Sequence, residues 1–173
     1  MESLMPSVFR STTLARILAL GAVILLCVGV DQYTKRLAQA ALPAAGPLTF
    51  LYDTVTLVYA ENPGAFLGMG SHLAEPLRFL LFTVVAGMTL CLGGVILLRT
   101  TVRPPLQDGG LALILGGGLG NLIDRISQQG YVVDFLRLGI GPLHTGIFNI
   151  ADAAITTGII CLGLSALWPR RKT

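Results

Sequence analysis

Four long apolar runs decide what this chain can fold into. They lie at roughly Leu14–Val30, Leu77–Leu98, Gly109–Ile123 and Phe148–Trp168. A helix that crosses a bilayer needs about 20 mostly apolar residues. The third run is shorter and glycine-rich, so its ends are the hardest to place. Composition agrees with spans: of 173 residues, 53% are hydrophobic and only 12% are charged. A soluble domain carries about 25% charged residues, so this chain has too little polar surface for water. Soluble, disordered and nucleic-acid-binding classes are excluded, and a net charge of +3 is no polybasic patch. The sequence predicts an all-α membrane protein, a four-transmembrane-helix bundle forming one integral membrane domain over 1–173.

Lys and Arg set orientation. With the N-terminus inside, Arg10, Arg16, Arg99, Arg103, Arg170, Arg171 and Lys172 fall inside, whereas Lys35, Arg36, Arg78, Arg125 and Arg137 fall outside. Both termini are therefore expected in the cytoplasm. The outer connections are 31–76 and 124–147. Ala38-Gln39-Ala40 resembles a signal-peptide cleavage site, but Asp31, Lys35 and Arg36 crowd the segment before it and argue for a retained helix. Leu48–Tyr59 (LTFLYDTVTLVY) and Tyr131–Leu136 (YVVDFL) have strand composition. They predict a small extracytoplasmic β-sheet on the outer membrane face.

Ionisable residues beside spans are expensive and usually functional. Asp31 ends the first span, Asp124 ends the third, and Asp152 lies near the start of the fourth. Alternate spans run in opposite directions, so all three carboxylates reach the outer leaflet. Gly117, Gly120, Asn121 and Asp124 share one helix face at i, i+3, i+4 and i+7. Asn149, Asp152, Ala153 and Thr156 repeat that spacing. Small residues let helices approach closely, and Gly116-x-x-x-Gly120 fits that use. Two such faces, packed together, would bring Asp124 and Asp152 to one place. Simpler roles exist for each: Asp124 could pair with Arg125, and Asn149 could cap the fourth helix with Asp152 at its positive end.

Two neighbouring carboxyl groups share a proton. The ionised one can accept a proton from water, and the protonated one can support the developing oxyanion. That is peptide hydrolysis with no metal and no organic cofactor. Ser-His chemistry is weak, because Ser127 has only His144 near it in sequence. Cys27, Cys91 and Cys161 lie in apolar runs without a CxxC pattern, which argues against disulfides. The rival classes are a small transporter or proton-relay subunit using the same carboxylates, and a membrane assembly protein.

Five motifs occur in order. They are Asp31-Gln32-x-Thr34-Lys35, Asn62-Pro63-Gly64-Ala65-Phe66, Gly120-Asn121-Leu122-Ile123-Asp124-Arg125, Val132-Val133-Asp134-Phe135 and Phe148-Asn149-Ile150-Ala151-Asp152. Together they resemble signal peptidase II, the bacterial lipoprotein signal peptidase, over about Asp31 to Thr156. The second motif is one alanine short of the family's N-x-G-A-A-F. The resemblance implies an aspartyl endopeptidase with Asp124 and Asp152 as the catalytic pair. Its implied substrate is a diacylglyceryl-modified prolipoprotein, cut just before the lipidated cysteine. It implies substrate-binding or site-organising roles for Asn62, Arg125 and Asn149, and motif positions for Asp31, Lys35 and Asp134. Asn121 joins them by its place on the third span's polar face. The resemblance also implies a bacterial inner membrane. The expected surroundings are membrane lipid, and the expected state is a monomer.

Overall fold

The computed structural model describes residues 7–99 and 103–167, with side chains from Leu14 onward. Trp168, the expected end of the fourth span, and Arg170–Lys172, counted among the inside charges, lie outside the described residues.

Helix α1 runs from Ser7 to Ala45, 39 residues, or roughly 60 Å at 1.5 Å per residue. It does not stop where its apolar run ends at Val30. Leu20, Cys27, Asp31, Lys35, Ala38 and Leu42 are all buried, and steps of three, four or seven keep them on one stripe. The continuation past Val30 is therefore held by packing: Ala38 and Leu42 meet Phe135, Leu57 and Tyr59 of the sheet.

Helix α2 spans Glu75–Arg99 and holds a six-residue π segment at Leu80–Val85. Helix α3 spans Pro105–Ser127, and α4 spans Ile150–Leu167. By length and apolar composition, α1 (over Leu14–Ala45), α2 and α4 can cross a membrane. Helix α3 is long enough at 23 residues, but its glycines, Asn121, Asp124 and Arg125 dilute its apolar run. Those polar groups face protein: Asn121 and Asp124 are buried, and Arg125 is half-buried.

The four helices close on α3. A Cβ on Gly116 would sit 2.7 Å from Cys27 Cβ, and one on Gly120 would sit 2.6 Å from Asp31 Oδ2. This pair therefore packs α3 against α1. A Cβ on Gly110 would sit 2.9 Å from the Gly158 carbonyl, and one on Gly117 would collide with the Ala151 carbonyl. Those two pack α3 against α4. At the opposite end of α3 from Asp124, Arg16 of α1 donates two hydrogen bonds to the Asp108 carboxylate and one to the Leu97 carbonyl of α2.

Strands β1 (Leu48–Phe50), β2 (Val55–Asn62), β3 (Val132–Ile140) and β4 (Leu143–His144) form an antiparallel sheet in that order. The stretch read as one strand at Leu48–Tyr59 is a hairpin. Leu51, Tyr52 and Asp53 turn it with φ of 52°, 53° and 65°, although none is glycine. Strand β3 extends beyond Leu136 because Arg137 and Leu138 pair with Thr56 and Val55.

Candidate active site

The site lies where the Asp31 level of α1, the end of α3, the start of β3 and the start of α4 converge. Asp31, Lys35, Asn121, Asp124, Asp134, Asn149 and Asp152 are all buried there. Seven polar side chains out of solvent must satisfy one another, and they do so in a connected network.

Lys35 is at its centre. Its Nζ lies 2.8 Å from Asp31 Oδ2, 3.0 Å from Asp124 Oδ2 and 2.9 Å from Asn121 Oδ1. All three ammonium donors are used. The 31-to-35 spacing puts Lys35 one helical turn beyond Asp31, while Asn121 and Asp124 reach it from α3. Asp31 Oδ1 accepts the Ala151 N–H at 2.8 Å, tying α1 to the first turn of α4. Gly120 leaves the space this requires.

Asp124 Oδ1 accepts from Gln32 Nε2 at 2.7 Å. Its Oδ2 accepts the Val133 N–H at 3.0 Å as well as Lys35. Three of its roughly four acceptor positions are filled. Asp152 is held differently. Its Oδ1 accepts from Asn121 Nδ2 at 2.8 Å, and its Oδ2 faces the Asn149 N–H at 3.4 Å. Asn121 and Lys35 thus link the two aspartates.

Asn149 caps α4. Its Oδ1 accepts the Asp152 N–H at 2.9 Å while Asp152 Oδ2 faces back to the Asn149 N–H, the reciprocal arrangement of a capping box. Capping does not exhaust its role. Asn149 Nδ2 donates to Asp134 Oδ1 at 2.7 Å and lies 3.1 Å from Asn121 Oδ1. Asn149 therefore caps α4 and at the same time bonds two other polar side chains of the network.

Asp134 of β3 also accepts from Asn62 Nδ2 at 2.9 Å. Burial pushes its carboxyl up to about 6, against the lowering effect of the Asn62 bond. Asn62 bends its own loop: its Oδ1 accepts the Gly64 N–H at 2.9 Å, and its Nδ2 donates to the Ala65 carbonyl at 3.0 Å. Arg125 holds the same loop from α3. It donates to the Gly64 carbonyl at 2.8 Å, and its guanidinium stands 5.9 Å from the Phe82 ring centroid. A Cβ on Gly64 would meet the Gly68 carbonyl at 2.9 Å, so the loop closes only with glycine there.

An apolar cavity of about 710 Å³ opens beside this network. Asp152, Asn121 and Arg125 stand at its polar end, and Leu81, Leu90, Ile155 and Ile160 line its length. All nine residues predicted for the site from sequence therefore meet in one place. Sequence reasoning missed three contributors. Gln32, named in its motif but given no role there, holds Asp124. The Val133 N–H is a backbone group that no side-chain pattern shows. Phe82 lies in an apolar run with nothing to distinguish it.

Residues 23–168 match the protein family described as signal peptidase (SPase) II. The chain belongs to the signal peptidase II family. A relative from Francisella tularensis subsp. mediasiatica, named lipoprotein signal peptidase, is 34% identical over 154 residues, covering 86% of this chain and 91% of its own. Relatives of the same name come from Caldanaerobacter subterraneus subsp. tengcongensis and Rhodococcus jostii. The first is 38% identical, covering 82% of this chain and 90% of its own. The second is 39% identical, covering 76% and 64%. A solved bacterial membrane enzyme superimposes with a TM-score of 0.76 at 22% identity, covering 90% of this chain and 94% of its own. That match places the fold with a membrane enzyme. The polar network described above thus sits in a member of a peptidase family, with several apolar helices and a small antiparallel sheet.

Proposed function

We propose that this protein removes the signal peptide from diacylglyceryl-modified prolipoproteins. It acts as an intramembrane aspartyl endopeptidase that cuts just before the lipidated cysteine. One observation carries the reading: Asp152, held on the same network as Asp124, stands at the polar end of a large apolar cavity. An acylated substrate approaching through lipid needs that combination, and a soluble peptide does not.

The two aspartates then divide the work. Asp124, paired with the Lys35 ammonium, is the base and keeps one acceptor position on Oδ1 for a water. Asp152, whose firm donor is the neutral Asn121 amide, carries the shared proton. Asp124 takes a proton from the water as its oxygen bonds to the scissile carbonyl carbon, and Asp152 protonates the carbonyl oxygen. When the C–N bond breaks, the proton on Asp124 passes to the leaving nitrogen. The proton of the diol returns to Asp152. Asn62 and Arg125 shape the loop over the site, and Asn121, Asn149, Asp134, Asp31 and Lys35 hold the carboxylates in register.

Helix α3 is the fourth crossing in this reading, with both termini cytoplasmic and the site near the outer face. Its inward-facing polar residues are compatible with a span, since lipid meets its apolar side. A proton relay would place free carboxylates through the membrane depth. Among the described residues of α3, the carboxylate at the other end is Asp108, which is bonded to Arg16.

The test is cleavage by the purified protein in detergent of a diacylglyceryl-modified precursor and of the same precursor unmodified. The modified precursor should be cut before its lipidated cysteine, and the unmodified one should be cut at least a hundredfold more slowly, about the penalty for a misplaced bond. Equal rates would show that the peptide alone is read.

A further inference from the structure

A second cavity, of about 390 Å³, is lined in part by Pro63 of the Asn62–Phe66 loop, whose Ala65 and Phe66 line the larger one. Thr83, Glu75, Arg78 and Tyr131 also line the second cavity. Its significance begins with one hydroxyl. Thr34, Thr89, Ser127, Thr156 and Thr157 each donate to the carbonyl four residues back, at 2.8 Å. That bond is the ordinary fate of a hydroxyl on a helix in an apolar setting. Thr83 is buried, 9% exposed, yet its Oγ1 has no hydrogen-bond partner among the described residues.

The cause is local. Thr83 lies inside the π segment Leu80–Val85, where the Ala86 N–H reaches back to the Leu81 carbonyl. Such segments interrupt α-helices frequently at functional sites. A buried hydroxyl without a partner is costly, and the cost is removed when a ligand supplies an acceptor or donor. The same segment aims adjacent residues at different cavities: Phe82 lines the large apolar one and Thr83 the small one.

A lipidated precursor has two kinds of parts. Its signal helix and acyl chains are apolar and belong in the large cavity. Its mature chain begins at the cysteine and is polar. The small cavity has Glu75, Arg78 and Tyr131 on its wall, at the N-terminal end of α2. We propose that it is the subsite for the first mature residues after the lipidated cysteine, with Thr83 Oγ1 bonding their backbone. This inference rests on the proposed lipoprotein-processing function.

The experiment compares two diacylglyceryl-modified precursors, one ending at the cysteine as an amide and one continuing for five residues. Wild type should favour the longer one by about 2- to 10-fold in kcat/KM, the value of one neutral hydrogen bond. Thr83→Val keeps the branched shape and should erase that preference while leaving the short substrate unchanged. Thr83→Ser should retain it. A second measurement does not depend on turnover. A photoreactive residue placed two positions after the cysteine should cross-link, in Asp152→Asn protein, to 75–83 or 129–131. No length preference in wild type, equal losses on both substrates in Thr83→Val, or cross-links confined to 155–160 would each overturn the proposal. If wild type cuts neither precursor, the lipoprotein-processing function itself has failed, and this subsite falls with it.

Discussion

Replacing Lys35 with methionine removes one charge and should disable the site in two separable ways. The side chain is 2% exposed and bonds Asp31, Asp124 and Asn121 at 2.8–3.0 Å. Methionine fills nearly the same volume, so cavity formation contributes little. What remains is two buried carboxylates facing each other without a cation. Removing one partner from a buried ion pair costs about 3–5 kcal/mol. For a chain of this size each kcal/mol moves Tm by about 2–4 °C, so the variant should melt roughly 6–20 °C lower in detergent. Cleavage should fall further than the folded fraction does, because Asp124 loses the ammonium that holds its Oδ2 in place.

Adding Asp31→Asn to Lys35→Met separates the two effects. The second substitution removes one of the stranded charges while its amide oxygen still faces the Ala151 N–H. Part of the stability should return, with a coupling of about 1–3 kcal/mol, but cleavage should not, since Asp124 remains without its ammonium. Thermal unfolding followed by intrinsic fluorescence, with cleavage of a modified precursor on the same preparations, reads both quantities. A Lys35→Met protein that melts within 2 °C of wild type, or that keeps more than about a tenth of its activity, would refute the central position given to Lys35.

Three further outcomes are expected. Asp124→Asn and Asp152→Asn should each reduce turnover by at least about a thousandfold in folded protein, and the double variant should be little worse because the pair acts as a unit. Asp134, held up to about 6 by burial, binds its proton more readily folded than unfolded. Its contribution to stability is therefore present below about pH 4 and is lost as pH rises through 6, by roughly 3 kcal/mol. Wild type should therefore lose urea stability relative to Asp134→Asn as pH rises from about 4 to 7, and a constant difference over that window, or a gain, would contradict it. Gly116→Ala and Gly120→Ala should each cost about 1–3 kcal/mol through overpacking, but only Gly120→Ala pushes on Asp31. Cleavage per folded molecule should fall in Gly120→Ala alone.

The helical period made much of this site legible. Gly117, Gly120, Asn121 and Asp124 share a face, and Asn149 and Asp152 share another, so their meeting follows once α3 and α4 pack closely. The packing detail differs, because Gly116 and Gly120 face α1 and leave Gly110 and Gly117 to face α4. Lys35 entered only through its motif, since the apolar run stops at Val30. What carries the helix onward is the stripe through Ala38 and Leu42, which has meaning only against a sheet not yet known. The hairpin at Leu51–Asp53 was hidden for a similar reason. Its left-handed residues are not glycines, so local chemistry signals no turn and strand pairing imposes it. The π segment in α2 is invisible in LLFTVV, which holds neither glycine nor proline.

The donors that hold the carboxylates explain why the site stands at element ends. Helices satisfy their own N–H groups except in the first turn. Inside an apolar bundle, a buried carboxylate therefore finds backbone donors only where a helix or strand begins. The Ala151 and Asp152 N–H groups are free because α4 starts at Ile150, and the Val133 N–H is free because β3 has just begun. Asp31 takes the first, Asn149 the second and Asp124 the third. Asp152, in the opening turn of α4, also gains from the positive end of that helix. A carboxylate moved two turns deeper into α3 or α4 would meet only bonded backbone, and its burial would go uncompensated. The depth of the site is thus set by where α4 and β3 begin. The sheet does more than cover the bundle: it supplies a donor to Asp124 and, through Asp134, holds the asparagine that caps the helix of Asp152.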